Sequence, residues 1–237
     1  MTDLLTEPLR DGITQRAILE LLILAVVCGP LGVWVVLYRQ SYATESIAHS
    51  MLPGLVIASL ASIPLGLGTL LALSPDVPVR LGEILFGDPL AVSAGDLAAS
   101  AALAVVTLLA LARGHRSLTL SGFDPQTARN LGGGNQRAAA LLLSLLALTV
   151  LIAVGSLGNL LVVAIVIGPG AAALRIARSL TGALWIAAAA AAFAGVAGIY
   201  LSYWAELAAG ASIAICAVAV FALAMAMSRL TGRPAVS

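Results

Sequence analysis

Two residues with chemically useful side chains, Glu45 and His49, lie four positions apart at the start of a long apolar stretch. In an α-helix, residues at i and i+4 share one face, so the carboxylate and the imidazole are expected to lie side by side. Carboxylate oxygen and imidazole nitrogen together suit Zn²⁺ or Mn²⁺ better than Ca²⁺ or Mg²⁺. The spacing therefore predicts half of a divalent-metal site, and a second copy of the chain related by a two-fold axis would supply the other half.

A structural interpretation of the same residues stays open at this point. Thr44 would serve as the N-cap of a helix, with Glu45 in its first turn, where a carboxylate suits the helix dipole. His49 would then be an ordinary hydrogen-bonded packing residue. The spacing alone does not choose between the two interpretations.

The composition indicates an integral membrane protein. Of 237 residues, 61% are hydrophobic and only 10% are charged, whereas soluble domains carry about 25% charged residues. The long apolar runs lack the alternation of barrel strands. The expected fold class is therefore all-α: one polytopic transmembrane helical bundle over residues 1–237. The net charge of +1 gives no electrostatic reason to expect a nucleic-acid partner.

Seven membrane spans are predicted from the apolar runs, since about 20 apolar residues cross a bilayer as a helix. The run 138–174 is too long for one crossing and contains Gly155-Ser156-Leu157-Gly158-Asn159, a natural turn, so it is divided there. The predicted spans are 17–38, 46–73, 90–112, the two parts of 138–174, 183–201 and 210–228. A charged side chain inside such a span costs about 2.5–3.5 kcal/mol, which draws attention to the Glu45–His49 pair.

Arginine placement predicts the orientation, because short cytoplasmic loops carry an excess of basic residues. Arginines cluster after the first span, in the loop 113–137, in the segment after Gly170 and in the C-terminal tail, and these positions share one side if 138–174 crosses twice. The C-terminus is therefore predicted to be cytoplasmic and the N-terminus outside. Arg16 on the outer side runs against this rule and is offset by neighbouring acids, among them Glu20.

The loop 113–137 carries no nucleotide site. It contains Gly132-Gly133-Gly134, but no Gly-Lys-Ser/Thr follows and no strand precedes the glycines, so a P-loop is excluded. His115, between two arginines, is interpreted as a solvated loop residue. The chain is not expected to be an enzyme, and if it transports at the expense of ATP, the ATPase is another polypeptide.

The segment that begins at Gly168-Pro169-Gly170 leads from an apolar helix into basic residues. Pro169 is predicted to kink or end the span. Arg175 and Arg178 are three apart and share a face. One interpretation is an ordinary basic flank on the cytoplasmic side; the other is a short helix across the membrane face that docks a cytoplasmic partner.

In these segments the chain resembles the permease subunits of zinc/manganese ABC importers, the ABC-3 metal permease family. The resemblance covers most of the chain and rests on the joint order of its motifs. The matching segments are Gly29-Pro30-Leu31-Gly32, Tyr38-Arg39-Gln40-Ser41-Tyr42 with Glu45, Ala48-His49 through Pro53-Gly54, Leu85 through Val92, Phe123-Asp124-Pro125, Ile167 through Ala173 with Arg175, and Gly198 through Tyr203 with Gly210-Ala211.

The resemblance implies the permease subunit of an ATP-driven importer of Zn²⁺ or Mn²⁺ in the cytoplasmic (inner) membrane. It implies two permease copies, ATP-binding cassette ATPase subunits and an extracellular metal-binding protein, with the metal as substrate and no permanently bound cofactor. It places Glu45 and His49 in the central pathway as metal contacts, although the family usually has Asp where this chain has Glu45. It assigns Pro169, Arg175 and Arg178 to the coupling helix that meets the ATPase.

One departure from the family lies after Gly68. Family members usually have about two further membrane segments between positions like Gly68 and Thr69, so this chain resembles a type II ABC importer permease lacking about two helices. Loss of an even number of crossings leaves every later loop on its expected side. Two alternatives follow: a non-transporting degenerate permease or membrane assembly partner, and a secondary transporter, which the few intramembrane charges argue against.

Overall fold

The computed structural model describes residues 12–49, 92–123 and 134–230 of the chain. Every element of regular secondary structure in these ranges is an α-helix, which confirms the predicted all-α bundle. The helices are α1 (Gly12–Leu37), α2 (41–49), α3 (Ala94–Phe123), α4 (Gly134–Leu157), α5 (Asn159–Ile176), α6 (Leu180–Ala205) and α7 (Ala209–Leu230).

Within the described ranges, five helices are long and apolar enough to cross a membrane: α1, α3, α4, α6 and α7. The apolar stretch of α5, Leu161–Ile176, is shorter. The chain is therefore a multi-pass membrane protein. The predicted second span, 46–73, lies mostly outside the described residues, as do the junction at Gly68 and the glycines Gly132 and Gly133.

The central helix of the bundle is α1, which contacts α3, α4, α5 and α6. Its buried side chains include Leu21, Leu24, Leu31 and Trp34, each at most 1% exposed. A helix that is apolar on all sides is stable when it is surrounded by other helices. The remaining elements are therefore positioned against α1.

Hydrogen bonds near the two ends of α1 give the directions of α3 and α4. Ser100 on α3 donates a hydrogen bond to Glu20 near the start of α1, and Tyr38 just after α1 donates one to the carbonyl of Leu118. The helices α1 and α3 are therefore parallel. Ser156, near the end of α4, also donates to Glu20, so α4 runs back in the opposite direction.

The chain reverses between α4 and α5 at Gly158. This residue has φ 76°, in the left-handed region that favours glycine. Ser156 lies at the Glu20 level of α1, whereas Ala173 shares an apolar cluster with Val33 near the other end. The helix α5 therefore runs opposite to α4, which confirms the division of the run 138–174.

The last two helices form an antiparallel pair. On α6, Ala187 lies against Gly29 and Gly195 lies against Leu21, so α6 is antiparallel to α1. Gly198 on α6 faces Ile213 on α7. This topology brings seven of the eight arginines in the described ranges to one end of the bundle and leaves Arg16 at the other. The seven are Arg39, Arg113, Arg116, Arg137, Arg175, Arg178 and Arg229.

The helix α3 extends beyond its predicted end at 112 and continues to Phe123. The prediction of a loop from residue 113 is wrong for this stretch, because the buried face of α3 continues from Leu111 to Leu118 while the polar residues lie on its other faces. His115 is not a solvated loop residue. Its ring packs edge-on against Trp34, with 5.6 Å between the ring centroids.

Pro169 lies inside α5, which continues to Ile176. Of the two predicted effects of Pro169, an end of the helix is therefore wrong, and a kink stays a prediction. A proline removes one hydrogen bond from the helical ladder, and the packing of α5 against α1, α6 and α7 holds the helix through it. The basic segment is the last turn of α5 and residues 177–179, and no separate short helix lies between α5 and α6 in this part of the chain.

Candidate functional site

A sharp elbow after α1 sets the position of α2. Arg39 has φ 57°, a left-handed conformation that commonly ends a helix. The N–H of Gln40 donates to the carbonyl of Val35 at 2.8 Å, which closes the helix end. Tyr38 Oη donates to the carbonyl of Leu118 at 2.9 Å. The elbow is thereby fixed to α3, and α2 starts from a defined point.

The helix α2 begins at residue 41, before Thr44. The N–H of Ala43 already donates to the carbonyl of Gln40 at 2.9 Å. Thr44 is buried, and its Oγ1 has no hydrogen-bond partner among the described residues. The interpretation of Thr44 as the N-cap is therefore wrong, and Glu45 lies beyond the first turn of the helix.

One face of α2 packs on the bundle and the other carries the two candidate ligands. Ala48 is fully buried and belongs to the main apolar core. The side chains of Glu45 and His49 are 54% and 52% exposed, and Glu45 Oε1 lies 3.8 Å from His49 Nε2. The carboxylate and the imidazole share a face, as their spacing predicts, and both project away from the core. Their role as metal ligands stays a prediction.

The distance between the two side chains is close to what a shared metal ion requires. Two ligand atoms on a tetrahedral ion with bonds of about 2.0–2.1 Å lie about 3.4 Å apart. The observed 3.8 Å between Glu45 Oε1 and His49 Nε2 needs only a small side-chain rotation to reach that value. In the described ranges no group of three or more His, Cys, Asp or Glu side chains gathers as a metal site, so the pair there offers two ligands.

The junction of α5 and α6 presents the predicted coupling residues. Arg175 in the last turn of α5 and Arg178 after it are both exposed. Ala177 is extended, with φ −70° and ψ 150°, and ends the helix. Ser179 Oγ accepts a hydrogen bond from the N–H of Gly182 at 3.1 Å and so caps α6. The two arginines therefore lie at the short α5–α6 connection, residues 175–179, which we call the arginine corner. It is at the same end of the bundle as the elbow.

One polar cluster was missed by sequence reasoning, which treated Glu20 only as an acid that offsets Arg16. The structure buries Glu20, which is 1% exposed, and its carboxylate accepts hydrogen bonds from Ser100 and Ser156. A signal was present, because an acidic residue between Leu19 and Leu21 in an apolar helix is expensive to bury. Nothing in the sequence around Ser100 and Ser156 indicated that they would bind Glu20.

The chain matches the family described as "ABC 3 transport family" over two stretches, residues 10–74 and 60–228. The stretches overlap at residues 60–74, around Gly68, where the chain is predicted to be shorter than other family members. Together they cover most of the chain.

Individual proteins are also similar to this chain. A "Probable iron transport system membrane protein" of Haemophilus influenzae is 31% identical, over 97% of this chain and 99% of that protein. The "Manganese transport system membrane protein MntC" of Halalkalibacterium halodurans is 31% identical, over 92% of this chain and 88% of that protein. The solved structure "PsaBC from Streptococcus pneumoniae in complex with Fab" has the same fold, with a TM-score of 0.82 at 22% identity over 94% of this chain and 95% of that one.

Proposed function

Because this chain belongs to the ABC 3 transport family, we propose that it is the permease subunit of an ATP-driven importer of a divalent transition metal. Zn²⁺ and Mn²⁺ are the cargo that the sequence predicts. Two similar proteins are named for manganese and iron transport, which supports Mn²⁺ as the first ion to test. Imidazole and carboxylate ligands accept all three metals.

The observation that carries this proposal is the geometry of Glu45 and His49. The two side chains lie 3.8 Å apart on one face of a helix whose other face is anchored in the core. An anchored helix holds the pair in position, and the exposed face leaves it open to a passing ion. A strong permanent site would trap the cargo, whereas exposed side chains such as these can release the ion.

A second copy of the chain completes the site in this proposal. A two-fold axis that brings the two α2 helices together would supply two carboxylates and two imidazoles. Four such ligands match the coordination that Zn²⁺ prefers in proteins and are also acceptable to Mn²⁺. The metal is cargo, held only while it crosses.

The arginine corner at the α5–α6 junction is proposed as the docking surface for a separate ATPase subunit. Arg175 and Arg178 are exposed there, and Ser179 fixes the start of the following helix. Seven of the eight described arginines lie at this end of the bundle, which supports a cytoplasmic location for it and for the C-terminus. An extracellular metal-binding protein would deliver the ion at the opposite end.

The test is uptake of radioactive Mn²⁺ into vesicles that hold the permease with its ATPase. Glu45→Ala and His49→Ala are expected to lower uptake by about tenfold or more, which corresponds to about 1.4 kcal/mol. Ser46→Ala, on the exposed side of the same helix, is the matched control and should transport normally. Competition with Zn²⁺ and Fe²⁺ ranks the three metals.

The same vesicles separate this proposal from its alternatives. A degenerate permease or an assembly partner would show no metal-stimulated ATP hydrolysis in the wild type. A secondary transporter would take up metal without ATP when an ion gradient is applied. Either result would replace the importer assignment.

A further inference from the structure

Three helices meet at one buried carboxyl group. Glu20 on α1 is 1% exposed. Its Oε1 accepts a hydrogen bond from Ser100 Oγ on α3 at 2.5 Å and another from Ser156 Oγ on α4 at 3.2 Å. Both serines are buried, at 1% and 7% exposure. The contact lies at the end of the bundle opposite to the elbow.

The second oxygen of this carboxyl group is unpaired within the described ranges. Glu20 Oε2 is buried and has no hydrogen-bond partner there. Among the described residues, the pair within ion-pair distance is His49 and Glu45. No described basic side chain therefore lies within ion-pair distance of Glu20. An ionised carboxylate in this position would be a buried charge with two hydroxyl donors on one oxygen and none on the other, which is strongly unfavourable.

We propose that Glu20, Ser100 and Ser156 form a proton-binding site that holds α1, α3 and α4 together when Glu20 is protonated. In the neutral acid, Oε1 is the carbonyl oxygen that accepts both serine hydroxyls and Oε2 carries the proton. The junction then buries no net charge, and the O–H on Oε2 has no acceptor within the described ranges. This inference does not depend on the transport proposal.

The other ionisable groups around Glu20 favour the neutral acid. Burial of Glu20 is the largest effect against an ionised carboxylate, and the exposed Asp96, one helical turn before Ser100 on α3, adds a weaker repulsion. On α1, Arg16 is one turn away but exposed. The described basic groups of α3, α4 and α5 lie at the opposite end of the bundle: Arg113, His115, Arg116, Arg137 and Arg175.

On α6, the ionisable groups are the phenols of Tyr200 and Tyr203, which carry no positive charge. No described element packed against α1 therefore brings a cation to the carboxyl group. Loss of the proton would leave a charge at a three-helix contact, so the packing of these helices and the binding of the proton are coupled.

Infrared spectroscopy of the purified full chain in lipid vesicles tests the site directly. A protonated carboxyl group gives a carbonyl band that is distinct from the carboxylate bands and shifts when H₂O is replaced by D₂O. At neutral pH the wild type should show this band and Glu20→Gln should lack it. Glu206→Gln removes an exposed carboxyl group at the same end of the bundle and should leave the band unchanged.

A second variant tests the hydrogen bonds without removing the acid. Ser100→Ala deletes the shorter bond to Oε1, so the acid carbonyl band should move to higher frequency. Ser156→Ala should move it less, because its bond is longer. As pH rises, the wild type should lose thermal stability relative to Glu20→Gln, since an ionised Glu20 would bury a charge at the contact of the three helices.

The proposal is overturned if the spectra of wild type and Glu20→Gln differ only in carboxylate bands at neutral pH. It is also overturned if added Mn²⁺ changes the Glu20 band, because the group would then be a metal ligand. An acid band that disappears in Glu20→Gln, moves in Ser100→Ala and ignores Mn²⁺ supports it.

Discussion

Gly32 on α1 and Gly170 on α5 bring the backbones of two helices into direct contact. A Cβ atom on Gly170 would lie 2.5 Å from the carbonyl carbon of Gly32, and a Cβ on Gly32 would collide with the carbonyl oxygen of Val166. Small residues permit such close crossings in membrane bundles. The crossing lies about two helical turns before the elbow at Arg39 and between one and two turns before Arg175. A displacement of α5 would therefore reach α1 here.

Gly170→Ala should destabilise the protein, because the new methyl group meets backbone atoms that cannot rotate away. We expect a loss of about 1–3 kcal/mol, typical of overpacking, visible as a lower thermal unfolding midpoint in detergent. Gly168→Ala is the matched control on the same helix, since its Cβ would lie at an ordinary 3.5 Å from the carbonyl oxygen of Ala217. Equal midpoints for the two variants would contradict the close crossing.

Ser179→Ala should weaken the start of α6. The variant loses the hydrogen bond from the N–H of Gly182 to Ser179 Oγ, and loss of an N-cap costs about 1 kcal/mol. Ser179→Asp keeps an oxygen acceptor in the same place and should retain wild-type stability. The comparison requires only thermal unfolding of the purified chains, and a stable Ser179→Ala protein would argue against a structural cap.

Arg175→Glu should uncouple the permease from its ATPase. Reversing an exposed charge on the corner is expected to abolish co-purification with the ATPase and metal-stimulated ATP hydrolysis, while membrane insertion stays normal. Arg229→Glu, at the same end of the bundle in the last turn of α7, controls for a general charge effect. If both variants behave alike, the corner is not a specific docking surface.

The position of the candidate ligands could be predicted from the sequence in one respect and not in another. The shared face of Glu45 and His49 follows from a spacing of four, which any helix would produce. The start of α2 cannot be predicted from the spacing, because Arg39 adopts a left-handed conformation although it is not a glycine. That conformation depends on the packing of the elbow against α3, so Thr44 was wrongly taken for the cap.

Long-range contacts explain the other omissions. The serines that bind Glu20 are 80 and 136 residues away in the chain, and no local pattern connects them. The polar residues after Ala112 suggested a loop. However, buried leucines about two helical turns apart, Leu103, Leu111 and Leu118, keep α3 packed against α1 and α4. By contrast, the reversal at Gly158 could be predicted, because an apolar run of that length must turn and glycine marks the place.

The most direct test of the metal assignment is pulsed electron paramagnetic resonance of Mn²⁺ bound to the purified transporter. The chain has two histidines, His49 and His115, so modulation from an imidazole nitrogen has few possible sources. We expect nitrogen modulation in the wild type and in His115→Gln and its loss in His49→Gln. Nitrogen modulation that persists in His49→Gln would contradict the assignment.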